Sequence, residues 1–359
     1  MKKVIFNTYA LVLAGVAIFC AVLMTEPGQS LNLPRDMTLG YYQHAGIFML
    51  LQLVALGGLW YLSEKWKMWG RIRMGLATMG VFFTFWASMH AMPLAFPTEQ
   101  FNAEFVTVEE ADMFIPEEDQ RVYVVEQGDE VRIFPRYHVQ VPHVAGWEHD
   151  DNEYAITFCG LSNLAMVIET DYGLGEANLQ VLGQTHNNLV FKDVNNGTAI
   201  QQITMQSEFT DHSTVVLPNT QMDWQDAKKQ YPDAKVYIYG MERFIDGLLL
   251  AVFEEPLKMQ RSQGEPFVFP TLDLQDTRMD VKTEIFGYDN GEAQIAIDPD
   301  FARSNDGYEF ELGSETLRIE TDGKVVRLVD ATTGEQVPTH NGVHFGIWSQ
   351  FFENSEVLM

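Results

Sequence analysis

Three apolar runs, residues 4–24, 45–62 and 74–96, dominate the first hundred positions, and no other feature restricts the fold so tightly. Each is close to the roughly 20 residues that carry an α-helix across the hydrocarbon core of a bilayer. The first follows Met1, Lys2 and Lys3, as a signal peptide would, but its apolar stretch is long and Phe19 before Cys20 is too large for a lipoprotein cleavage box. An uncleaved spanning helix is therefore expected. Lys65, Lys67, Arg71 and Arg73 lie between the second and third runs, whereas residues 25–43 contain Arg35 alone. That asymmetry predicts a cytoplasmic N-terminus and second loop, so the third helix delivers the remaining chain to the outside of the cytoplasmic (inner) membrane. His44 and His90, flanked by Met89 and Met92, fall at similar depth; they are open to two readings, wetted interfacial residues or a metal or quinone site.

The remainder has a different character. Residues 1–98 hold seven Lys and Arg and three Asp and Glu, leaving 16 basic and 47 acidic residues, a balance of −31, for residues 99–359. So acidic a module repels nucleic acid phosphates and anionic headgroups. It has no GxSxG elbow, HExxH, P-loop or GxGxxG opening a helix, so no established catalytic signature is available.

Short β-type runs punctuated by turns predict a mostly β (α+β) module. Residues 121–125 and 131–134 flank Gln127-Gly128-Asp129, a hairpin signal. Residues 154–158 form a strand that ends at Cys159, followed by the turn 160–163 and a second apolar run, 164–168. Further strands are expected at 179–182 and 189–193, joined by the polar stretch 183–187. Residues 101–116 read as an acidic, aromatic linker. A helix is expected over 220–230, with Thr220 as cap and Asp223 in the capping-box position. Asp289-Asn-Gly-Glu292 echoes Glu126-Gln-Gly-Asp129, residues 326–334 echo 190–197, and Trp348 takes the place of Trp224. An internal duplication is therefore expected, with a three-helix anchor over 1–98, a first β-rich lobe over 99–240, and a linker with a second, shortened lobe over 241–359.

In order, the segments 131–146 (VRIFPRYHVQVPHVAG), 154–167 (YAITFCGLSNLAMV), 188–197 (NLVFKDVNNG) and 224–237 (WQDAKKQYPDAKVY) resemble the bacterial and archaeal family called domain of unknown function 3179. The resemblance covers most of 117–359 and implies a fold, not an activity. His143 matches the histidine of the family's WHE segment, although Pro142 and Val144 flank it here. The family's paired cysteines correspond to Cys159 and Ser162, a departure that argues against dithiol chemistry.

Only Cys20 and Cys159 are present, and the first lies in an apolar run. Cys159 has three readings. It is a buried small hydrophobe, or it is a thiolate assisted by an imidazole, or it is held in an intermolecular disulfide or lipidated. In the second case Cys159 and His143 form a catalytic pair, or His138, His143, Cys159 and His186 hold copper or zinc. The function expected is a membrane-anchored extracytoplasmic binding, sensing or assembly module more than an enzyme. Its partners would be the bilayer and a membrane or periplasmic protein, not nucleic acid. Thiol- or metal-dependent redox or transfer chemistry at Cys159 is the alternative.

Overall fold

In the computed structural model the described residues are 1–25, 28 and 30–359. The chain divides into two compact units, one comprising residues 1–94, 182–185 and 269–271, the other 95–181, 186–268 and 272–359.

The first unit contains α1 (Lys2–Leu23), α2 (Arg35–Gln43), α3 (Ala45–Trp66) and α4 (Arg71–Ala95). Among the described residues three helices, α1, α3 and α4, are long and apolar enough to cross a membrane. A narrow seam is buried: Phe6, Ala10, Leu13 and Ala17 recur every three or four positions on α1 and meet Leu56, Leu59, Met74 and Val81. The outer faces are as apolar as the seam, with Leu11, Val54 and Phe83 exposed. Close approach is helped by Gly58, where a Cβ would sit 2.9 Å from the Tyr9 hydroxyl, and that hydroxyl donates to the Ala55 carbonyl at 2.8 Å. His44 lies at the junction of α2 and α3, and the His90 ring lies 5.7 Å from Trp86.

The second unit is sheet-rich. Its five-stranded sheet has the order β1 (Glu104–Thr107), β13 (Lys235–Ile238), β3 (Glu130–Pro135), β2 (Arg121–Gln127), β12 (Thr220–Asp223). A four-stranded sheet follows the order β11 (Val216–Leu217), β6 (Leu164–Glu169), β5 (Asn152–Cys159), β4 (Val144–His149). Another has β10 (Gln206–Ser207), β9 (Ala199–Gln201), β8 (Asn188–Asp193), β7 (Leu179–Thr185). The C-terminal part contributes a sheet ordered β19 (His340–His344), β14 (Glu284–Asp289), β15 (Gln294–Ile297), β20 (Glu356–Leu358) and a meander of β16 (Glu309–Leu312), β17 (Glu315–Asp322) and β18 (Val325–Asp330). Six helices complete the unit: α5 (Val108–Ala111), α6 (Arg136–Val139), α7 (Trp224–Gln230), α8 (Phe244–Arg261), α9 (Pro299–Ser304) and α10 (Phe345–Phe351).

Alternation along β2 builds two cores from one strand, because successive side chains point to opposite faces. Tyr123 and Val125 join Phe134, Trp147, Ile156, Phe158 and Val167 on one side. Val122 and Val124 join Ile133, Trp224, Ala227 and Val236 on the other. A third core, around Ile295, Leu317, Ile319 and Leu328, fills the C-terminal part.

Three local expectations are corrected. Residues 220–223 form a strand, not the first turn of a helix: Thr220 and Met222 are buried in alternation as β12 pairs with β2. The helix begins at Trp224 and Asp223 caps it, accepting from the Gln225 N–H at 2.8 Å. The polar connection 183–187 shrinks to His186 and Asn187, both with positive φ (49° and 57°), and β7 runs on to Thr185. This backbone pair has the left-handed conformation of a tight two-residue hairpin turn. Residues 101–116 are partly ordered into α5 and the edge strand β1, which pairs antiparallel with β13.

Candidate functional site

Cys159 is the last residue of β5, as the sequence predicts, and it is buried. Its sulfur donates to the Asn187 carbonyl at 3.8 Å, and no histidine bonds to it. Burial pushes the thiol pKa up, and Ser162 with the neighbouring amides offsets this only in part. That is opposite to the direction that the imidazole-assisted thiolate reading requires.

The three histidine-bearing segments do not converge on the sulfur. His143, at φ 59° just before β4, is nearest in the strand register, but it is committed to the backbone. Its Nδ1 bonds the Phe158 carbonyl at 2.8 Å, while its own carbonyl accepts from the Phe158 N–H. Full burial lowers its pKa to about 4, so the ring stays neutral. His138 on α6 bridges two loops: the Tyr239 N–H donates to Nδ1 at 3.2 Å, leaving Nε2–H to donate to the Phe114 carbonyl. His186 lies in the β7–β8 turn with its ring against Phe351. Among the described residues no group of three or more His, Cys, Asp or Glu is placed to hold a metal ion.

These environments give a first expected result. Iodoacetamide should leave Cys159 unmodified in the native protein near neutral pH and alkylate it only after unfolding. Peptide mass spectrometry separates it from Cys20, and modification of the native protein at the rate of a free thiol would contradict the burial.

The turn after Cys159 is where elements from distant parts of the chain meet. Asn163, held at φ 56°, accepts from Arg136 Nη1 at 3.3 Å and donates to the Gly342 carbonyl at 2.8 Å. The Ser162 carbonyl accepts from the His344 N–H at 3.3 Å, and the Leu161 carbonyl from Gln260 Nε2 at 2.6 Å. Gly342 has to be glycine: φ is 79° and a Cβ would lie 2.6 Å from Gln221 Oε1.

Around this junction sits a cationic cluster that the sequence analysis did not single out. Arg136 forms a buried bidentate pair with Asp119, with Nε at 2.9 and 3.0 Å from the two carboxylate oxygens. Arg121 Nη2 donates to Glu284 Oε2 at 2.8 Å, but its Nη1 is buried with no hydrogen-bond partner. Two residues along the same strand, and therefore on the same face, the Tyr123 hydroxyl is fully buried and also unpartnered. Arg261, the last residue of α8, pairs with no carboxylate among the described residues, and its Nε is buried and unpartnered. Burial first, then the charge of Arg136, lowers its pKa to about 10, with Arg121 also opposing it. His344 is wholly buried, and neither ring nitrogen has a hydrogen-bond partner of good geometry among the described residues, although the Lys282 backbone acts on the ring. Burial takes its pKa down to about 4.

The cost of this arrangement is the informative point. A buried polar group left unpaired costs roughly 1–3 kcal/mol, and more when charged. The cluster collects such groups from Arg121, Tyr123, Arg261 and His344 in one electrostatic neighbourhood, since each feels Arg121 or its strand neighbour Tyr123. One sequence signal pointed there: in a module with only 16 basic residues, Arg121 and Tyr123 stand at i and i+2 of an apolar strand.

A family model described as "Protein of unknown function (DUF3179)" matches residues 96–355. No curated protein and no solved structure matches the chain.

Proposed function

This chain belongs to the DUF3179 family of proteins of unknown function, and from that premise we propose a membrane-anchored, extracytoplasmic binding module that takes a small ligand at the Arg121, Tyr123, Arg261 and His344 cluster. The observation that carries it is the convergence of unpartnered buried polar atoms on four side chains, which a bound ligand would satisfy. Catalysis by Cys159 is not adopted, because its thiol is buried and its pKa is raised.

Anchoring by α1, α3 and α4 in the inner membrane, with the sheet-rich module outside, is part of the same reading and is supported by the loop charges. Reporter fusions at Gln127 and near Glu335 should read extracytoplasmic and one at Lys67 cytoplasmic. A cytoplasmic signal from Gln127 would sink this orientation.

We also infer an internal duplication within the module. In its favour, β12, α7 and β13 add to the β2–β3 hairpin as β19, α10 and β20 add to β14–β15, each with one antiparallel and one parallel pairing. The two aspartate turns also share a bonding pattern. Asp193 accepts from Gly197 N–H on its carbonyl and from Asn195 N–H on its carboxylate, and Asp330 does so from Gly334 and Thr332. The tryptophans are offset by one helical turn, Trp224 opening α7 and Trp348 standing fourth in α10.

Binding is tested by melting the detergent-solubilised full chain against a library of small molecules of mixed charge. A compound that stabilises the wild type more than Tyr123→Phe supports the reading; a library with no such compound removes it.

A further inference from the structure

Resting on that binding reading, the geometry points to a small oxyanion, a carboxylate or phosphate group, as the ligand chemistry held by the cluster. The unsatisfied atoms on Arg121 and Arg261 can only donate, and Tyr123 adds a hydroxyl donor. A ligand must therefore bring acceptors. The acceptors that would hold a cation are already engaged, Asp119 by both oxygens on Arg136 and Glu284 on Arg121.

Charge points the same way. Three guanidiniums meet two carboxylates here, with the ammonium of Lys282 also acting on His344, inside a chain of net charge −27. Bringing buried guanidiniums together costs desolvation and mutual repulsion unless something neutralises them. Among the described residues, Arg121 and Arg136 each have a carboxylate partner and Arg261 has none. A planar guanidinium matches the paired oxygens of a carboxylate or phosphate. The neutral His344 ring offers one N–H donor to the same anion. Access exists from solvent, because the Arg121 side chain is 23% exposed and Arg261 is half-buried.

The test uses the full chain in detergent, titrated with inorganic phosphate, acetate or succinate and with sodium chloride at matched ionic strength, while the melting midpoint is followed. A saturable rise beyond chloride is expected with at least one oxyanion, and which one responds tells a phosphate from a carboxylate source. Arg261→Met should abolish the response, and Tyr123→Phe should weaken it about tenfold, the effect of one hydrogen bond. Should Arg261→Met fail to fold, Arg261→Lys keeps the charge, loses the fork and should bind about tenfold more weakly. A rise no larger than with chloride, one that persists in Arg261→Met, or unchanged affinity in Arg261→Lys overturns the assignment. Stabilisation by neutral compounds alone, dependent on Tyr123, would overturn the oxyanion and leave the binding reading standing.

Discussion

Trp348→Ala should cost the module about 3–5 kcal/mol, the range for deleting a fully buried aromatic and leaving a cavity. The indole is 0% exposed, and its Nε1 donates to Ser355 Oγ at 3.0 Å. It lies 4.1 Å from the Phe352 ring and 5.1 Å from His340, measured between centroids. Directly beneath it is Gly287, where a Cβ would sit 2.5 Å from the indole, so strand β14 is shaped to that ring. The cavity has little chance to close, because a paired sheet lies on one side and α10 on the other. Urea denaturation of the solubilised protein measures the loss, with Trp348→Phe expected to lose less than half as much. A change within about 0.5 kcal/mol, the size of a tolerated surface substitution, would mean the ring does not hold this sheet and helix together.

Asp119→Ala should be as damaging for a different reason. Its carboxylate takes Arg136 Nε through both oxygens and Nη2 at 2.7 Å, and both side chains are about one-tenth exposed. Removing one partner of a buried pair typically costs 3–5 kcal/mol, since the remaining charge stays desolvated and unpaired. Here the stranded guanidinium would also face Arg261. Asp119→Leu combined with Arg136→Met should recover much of the loss, because it deletes both charges together. Asp119→Ala as stable as wild type, with the double substitution no better, would show that the pair is effectively solvated.

How much of this was legible in the sequence follows from how local each signal is. Three unbroken apolar runs produce α1, α3 and α4 directly, and Gly128, at φ 58°, marks the β2–β3 hairpin. Residues 220–223 were misread because Thr220 and Asp223 mimic a capping box, while the deciding partner, β2, lies a hundred residues upstream. The β7–β8 turn was misread because His186 and Asn187, not glycine, take the left-handed conformation.

The candidate site was legible as an address only. The segment ending at Cys159 does lead to the junction, but through the backbone of Leu161 and Ser162 and the amide of Asn163, not through the thiol. Arg121, Arg261 and His344 belong to different elements, and no short motif records that they meet.

The junction around Gly342 also bears on how the protein is made. Asn163 and Gly342 are 179 positions apart, Arg121 and Glu284 163, and His340 and Ile203 137. Contacts so remote in sequence form slowly, because the loop-closure entropy is spent before they contribute. During vectorial synthesis strands β1 to β13 emerge well before β19 does. The cluster therefore stays open until β19 has left the ribosome, and a nascent chain that stops short of β19 displays its arginines without the fold that organises them.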